Sequence, residues 1–233
     1  MAPSIVFDFD GTLALGHGPV RAYAHAIAGA AQPGFLDRVA QALITYDTGD
    51  SGYRDGYHVV GALAAADGVS PAALQDAYAR SRDMLGTPHA PVATIPRLPD
   101  FLATLGRSAR LILATNAPAP GIDTVLESWG VSGRFDEVHV SVGKPDGLHR
   151  LIGVLREAGP VLAIGDIAEF DLAPAWALGA DTALVGATAA TSPAPVTMRG
   201  PSLDALRTEI ETWAVTAASS IPAPTGSGPG IER

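Results

Sequence analysis

Cysteine is absent from the 233-residue chain, which excludes disulfides and thiolate metal sites. Lysine is almost absent: of 15 basic residues, 14 are arginine and Lys144 stands alone. No apolar run approaches the ~18 residues of a membrane span. The first residues enter an apolar strand at once, with no basic n-region or signal-like segment, so a cytoplasmic protein is expected. A formal charge of −9 argues against nucleic acid or an anionic membrane as a partner. What the chain does have is 47% hydrophobic residues, enough for a sizeable core or a core with a smaller insert. No internal repeat is visible.

The most informative stretch is Ile5-Val6-Phe7-Asp8-Phe9-Asp10-Gly11-Thr12-Leu13. Its apolar start reads as a strand buried on both faces. Alternate side chains of a strand share a face, so Asp8 and Asp10 are expected to point the same way at its carboxyl end. Open parallel α/β sheets bind ligands just outside such ends. Gly11 lets the backbone turn sharply, and Thr12 offers a hydroxyl and an amide beside the carboxylates. A plain Asp-Gly turn is the competing reading. A calcium loop fails, because it needs a glycine at Leu13 and an acid at Pro19.

From about Ala14 to Pro96 the strand signals cease. Helices are expected over Val20 to Ala31, Leu36 to Thr45, Gly56 to Ala66 and Pro71 to Leu85, the last capped by Ser70. Such Ala-rich amphipathic helices suggest a small bundle over residues 15–96. A polar, glycine-rich stretch, Gly49 to Gly56, interrupts it, and Thr87 to Pro99 reads as the exit linker. Strands and helices then alternate. Strands are expected at Leu111 to Ala114, within Phe135 to Ser141, at Val161 to Ile164 and at Thr182 to Val185. Helices are expected at Phe101 to Gly106, Ile122 to Trp129, Leu148 to Ala158 and Leu172 to Leu178. A last helix, capped by Ser202, should present Leu203, Leu206, Ile210 and Trp213. This order implies an α/β, Rossmann-like parallel sheet with helices on both faces. The helical unit splits that core domain (residues 1–14 and 97–217) after its first strand. Residues 218–233, rich in Pro, Gly and Ser, read as a disordered tail.

Three strand ends carry chemistry: Asp8 with Asp10, then Thr115-Asn116, then Asp166 with Asp171 beyond it. Lys144 follows the third strand. Carboxylates crowded together raise one another's pKa, and a dication with one ammonium relieves this. Mg²⁺ suits such oxygen ligands.

Here the chain resembles the haloacid dehalogenase-like (HAD) hydrolase superfamily, in its phosphatase branch with a helical cap. Val6 to Leu13 is similar to the first family motif, Leu113-Ala114-Thr115-Asn116 to the second, and Gly143-Lys144-Pro145-Asp146 to the third. Gly165-Asp166-Ile167-Ala168-Glu169-Phe170-Asp171 is similar to the fourth, although Ile167 and Phe170 replace residues that are often polar. The resemblance implies a Mg²⁺-dependent phosphoric monoester hydrolase acting on a small phosphorylated metabolite. Asp8 would be the nucleophile that forms an aspartyl-phosphate, and Asp10 the general acid/base. Thr115 and Asn116 would hold phosphoryl oxygens, and Lys144 would neutralise charge. Metal would be held by Asp8, the Asp10 carbonyl and Asp166, with Asp171 orienting metal-bound water or Lys144.

Gly11 and Thr12 are further expected at the substrate, and Arg54 of the glycine-rich stretch could pair with its anion. Tyr53 lies in that stretch, and Tyr46, Tyr57 and His58 flank it. His17 and His25 are expected at the surface, and His89, His139 and His149 show no metal-ligand spacing. A monomer or homodimer is expected. A phosphotransferase or phosphomutase shares all four motifs, and a silent HAD-like binding or regulatory module is the alternative from another class.

Overall fold

The structure, a computed structural model, describes residues 2–49 and 51–220. Its centre is a six-stranded parallel sheet: β1 (Ser4–Phe7), β2 (Arg110–Ala114), β3 (Glu137–His139), β4 (Val161–Gly165), β5 (Asp181–Val185) and β6 (Met198–Gly200). The strand order is β3-β2-β1-β4-β5-β6. β1 therefore lies between β2 and β4, with Phe7 level with both Leu113 and Ile164. Successive connections leave it toward opposite edges, which opens a crevice at its carboxyl end.

Alternation along the strands builds a core on each face. Ile5, Phe7, Leu111, Leu113, Leu162 and Ile164 pack with α5 (Leu98–Leu105), α6 (Ile122–Ser128) and α9 (Arg207–Ser219). Val6, Ile112, Ala114, Val161 and Ala163 face the other way, against α7 (Asp146–Ala158) and α8 (Ala173–Trp176). Strands buried on both faces must be apolar throughout, which is why these segments read as unbroken runs.

Four helices stand between β1 and α5: α1 (Gly18–Ile27), α2 (Phe35–Asp47), α3 (Gly56–Ala66) and α4 (Pro71–Asp83). They have a core of their own, including Val20, Ile27, Phe35, Leu43, Val59 and Ala77. Ser70 caps α4 by accepting from the Ala73 amide at 3.3 Å, and Asp55 caps α3 by accepting from the His58 amide at 2.6 Å. The segments entering and leaving this cap run side by side, with Leu15 and Ala93 exchanging backbone hydrogen bonds of 2.8 and 3.1 Å.

Several elements differ from the expectation. β6 is an extra edge strand of only three residues, too short for a periodic signal. The 172–178 helix is instead a wide turn at Ala168–Leu172 followed by the short α8. Ser202 caps only a turn, accepting from the Ala205 amide at 3.2 Å, and α9 begins five residues later. That helix continues to Ser219, so residues 218 and 219 are not tail. Ser220 closes that helix, its amide donating to the Thr216 carbonyl at 3.1 Å; residues 221–233 of the expected tail, and Asp50 of the glycine-rich stretch, lie outside the described residues. No helix among those described is long and apolar enough to cross a membrane.

Candidate active site

The site forms where β1, β2 and β4 end. Asp8 is the residue after β1, its amide still donating to the Ile164 carbonyl at 2.9 Å. Asp166 follows β4, and Asp171 returns to it on the wide turn. That return depends on Gly165, where a Cβ would lie 2.2 Å from the Asp171 Cβ. Gly11 is constrained twice: its φ of +87° is one that other residues rarely adopt, and a Cβ there would sit 2.2 Å from Asp166 Oδ2.

Lys144 arrives from the loop after β3 and joins the group. Its Nζ donates to Asp8 Oδ1 at 2.5 Å and to Asp171 Oδ1 at 2.7 Å. Asp171 Oδ2 accepts from the Ile167 amide at 3.0 Å. Oxygens of Asp8, Asp166 and Asp171 all fall within 4.8 Å of one another. Three buried carboxylates share one ammonium, so the cluster is short of positive charge. Burial, more than the opposing pull of Lys144, pushes the Asp8 carboxyl up to about 7. Burial, with Asp8 and Asp171 adding repulsion, likewise raises Asp166 well above its ordinary value. Burial works against the charge on Lys144, but Asp8 and Asp171 outweigh it and hold the ammonium firmly protonated. Asp166 Oδ1 is buried with no hydrogen-bond partner among the described residues. An orphaned carboxylate oxygen in an electron-rich, all-oxygen cluster fits a hard dication such as Mg²⁺.

A cavity of about 410 Å³ opens over the cluster, walled by core and cap together. Asp8, Asp10, Gly11, Thr115, Asn116 and Lys144 form its floor, while Tyr46, Arg54, Tyr57 and Tyr78 come from the cap.

The model of the haloacid dehalogenase-like hydrolase family matches residues 3–179. The chain belongs to this family. Solved structures of the same fold include the Mg²⁺-bound candidate HAD-hydrolase YfnB of Bacillus subtilis, at TM-score 0.58 and 18% identity over 90% of this chain and 98% of that one. A candidate phosphoglycolate phosphatase of Lactobacillus plantarum gives TM-score 0.58 and 20% identity over 89% and 98%. The L-2-haloacid dehalogenase of Xanthobacter autotrophicus gives 0.52 and 19% over 90% and 98%. No curated protein matches the chain.

In this HAD-like hydrolase, Asp8, Asp10, Gly11, Arg54, Thr115, Asn116, Lys144, Asp166 and Asp171 all line one cavity. Thr115 is buried, and its hydroxyl accepts from the Ala117 amide at 3.0 Å. The Asn116 side chain accepts from the Lys144 amide at 2.7 Å and so ties the second strand end to the third loop. Arg54 donates to Asp55 at 3.0 Å and lies 4.8 Å from the centroid of the Phe170 ring, which joins the cap to the wide turn. Thr12 differs from expectation. It is fully buried behind the loop, and the cavity does not include it. Its amide is spent on the Phe9 carbonyl at 3.4 Å, inside the turn that Gly11 makes.

The acidic side chain of Asp10 stands apart from the metal-type cluster and pairs with Arg82 of α4, at 3.0 Å to Oδ1 and 3.2 Å to Oδ2. Sequence reading missed Arg82. The available signal was helical spacing, since Leu74, Tyr78 and Arg82 fall four apart on one stripe of α4. His17 was expected at the surface but lines the cavity, with Nε2 at 2.9 Å from Asp47. His25 is exposed, as are His89 and His149.

Proposed function

We propose that this HAD-like hydrolase is a Mg²⁺-dependent phosphatase of small phosphomonoesters that works through an aspartyl-phosphate on Asp8. The observation that carries this reading is the division of the acids. Asp8, Asp166 and Asp171 cluster around Lys144, while Asp10 lines the same cavity but stands outside the cluster. One carboxylate is thereby available as nucleophile and another as acid/base. Asp8, the Asp10 carbonyl and Asp166 would hold the metal, which when bound adds positive charge beside the phosphoryl oxygens.

Asp8 Oδ attacks phosphorus as the ester P–O bond breaks, and Asp10 gives its proton to the departing oxygen. Asp10 then takes a proton from the water that attacks the aspartyl-phosphate, which frees Asp8 and inorganic phosphate. Lys144, held between Asp8 and Asp171, neutralises charge that develops on the phosphoryl group. Thr115 and Asn116 lie at the floor where the phosphoryl oxygens would sit. The cap closes the volume around the rest of the substrate and limits water.

Dehalogenases share the fold, so the leaving group is the discriminating chemistry. A halide departs without a proton, whereas an alkoxide needs one, and Asp10 is the group that supplies it. The test is phosphate release from a library of phosphometabolites with Mg²⁺, alongside halide release from 2-chloroalkanoates. Phosphate without halide supports the reading; halide without phosphate overturns it. Isomerisation in place of release would identify a phosphomutase instead. A cytoplasmic location accords with small phosphorylated metabolites as substrates.

A further inference from the structure

Arg82 is one of the most deeply buried large side chains in the protein, at 1% exposure, yet it is incompletely satisfied. Only Nη1 is used, donating to both oxygens of Asp10 and to the Tyr57 hydroxyl at 3.1 Å. Nε and Nη2 are buried with no partner among the described residues. A salt bridge built for stability would use the guanidinium fork against the carboxylate. Leaving buried donors unpaired costs about 1–3 kcal/mol each, so the arrangement is a poor way to hold the cap together. It is a good way to aim one carboxylate.

The surroundings leave Arg82 little freedom. It sits in the last turn of α4, where its carbonyl accepts from the Leu85 amide at 3.1 Å. On the core side, a Cβ on Gly121 would come within 3.3 Å of that same carbonyl, so the two backbones are already in close approach. Tyr57, which accepts from Arg82, belongs to a ring cluster with Tyr23 and Tyr78, centroids 5.6 to 5.9 Å apart, in which Tyr78 meets both other rings edge to face. A fixed backbone and an aromatic wall put the guanidinium at one place. Asp10, by contrast, follows the strand and is partly open to the cavity, so its carboxylate needs an anchor to choose a direction.

We propose that Arg82 is a positioning residue for Asp10: from the cap, it fixes the carboxylate that exchanges a proton with the substrate's leaving oxygen. Arg82 itself lies behind the cavity wall and does not touch substrate. The acid/base is therefore complete only when α4 of the cap stands against the end of β1. The inference rests on the phosphatase reading of the site.

The experiment compares two esters, p-nitrophenyl phosphate and the alkyl phosphomonoester that the wild-type protein hydrolyses fastest. The aryl leaving group departs as a stable phenolate and needs little protonation, whereas the alkyl group depends on Asp10. Because kcat/KM covers only the steps through loss of the leaving group, its alkyl-to-aryl ratio isolates that proton. Measured within one preparation, the ratio is unaffected by the fraction of protein that is folded. Arg82→Met should lower the ratio about 10-fold or more, a part of the 10²–10⁴-fold that general acid catalysis supplies. Arg82→Lys should recover some of the loss. In an Asp10→Asn background, Arg82→Met should leave the ratio unchanged, as expected for residues that act as one unit. Equal losses on both esters, or the same drop in the Asp10→Asn background, would show a structural role and overturn the proposal. A wild-type protein that hydrolyses neither ester overturns the phosphatase reading, and the proposal with it.

Discussion

Lys144 shows how far a single residue could be read before folding was known. It is the only lysine among 15 basic residues, and the structure buries its ammonium between Asp8 and Asp171 at 2.5 and 2.7 Å. A compact charge with three donors fits that gap, while a planar guanidinium is broader and less adaptable. Lys144→Arg should therefore fail nearly as badly as Lys144→Ala, with ~10²-fold or more lost in kcat/KM for each. Full activity in Lys144→Arg would sink the compact-charge argument. Asp10→Asn should slow turnover by ~10²–10⁴-fold while Mg²⁺ affinity persists through its main-chain carbonyl. Titration calorimetry with Mg²⁺ beside steady-state kinetics separates the two effects. Asp8, Asp10, Lys144 and Asp166 were legible because their strands announce themselves and each sits at a strand end or the loop that follows. Arg82 was not, because its partner is 72 residues away and only the packing of α4 at the end of β1 brings the two together. Thr12 lies off the cavity for a related reason: adjacency in sequence does not say which side of a turn faces it.

At the scale of elements, the strands of the sheet centre were visible as apolar runs because both of their faces are buried. β6 escaped notice because an edge strand of three residues with a glycine carries no such run. The wide turn at Ala168–Leu172 carries the sequence pattern of loop and helix, since unusual hydrogen-bond spacing leaves no mark in composition. Its consequence is functional: it brings Asp171 back to the cluster and presents Phe170 to Arg54. Arg54 is thus a cap residue steered by a core residue, and both line the cavity. Phe170→Ala should release Arg54 and change its use toward substrates. A cation–π contact of 0.5–2 kcal/mol corresponds to a change of about 2- to 30-fold, seen as altered preference among phosphomonoesters. Mg²⁺ affinity should stay within about 2-fold, because neither side chain is a ligand. Equal losses toward every ester would mean that the contact supports folding alone.

For the whole molecule, the acidic cluster ties stability to both protons and metal. Asp8 is raised from its ordinary 3.8 to about 7, chiefly by burial, and Asp166 is raised for the same reason. A carboxyl with a raised folded-state pKa contributes stability that is complete below its unfolded value and is lost as pH rises toward the folded one. Without metal, the melting temperature should therefore fall between pH 5 and pH 8. Mg²⁺ replaces those protons as the source of positive charge, so its effect should run the other way. At 100 times its dissociation constant, a ligand of the folded state adds about 2.7 kcal/mol. In a chain of this size that is a rise of about 5–10 °C, expected at pH 8. At pH 5 protons compete for Asp8 and Asp166, and the rise should shrink. Asp166→Asn removes one of the raised carboxyls and a proposed ligand, so it should flatten the metal-free pH dependence and abolish most of the Mg²⁺ response. Thermal melts of both proteins, at both pH values and with or without Mg²⁺, make the comparison directly. An Mg²⁺ response that is the same at pH 5 and pH 8, and intact in Asp166→Asn, would place the ion somewhere other than this cluster.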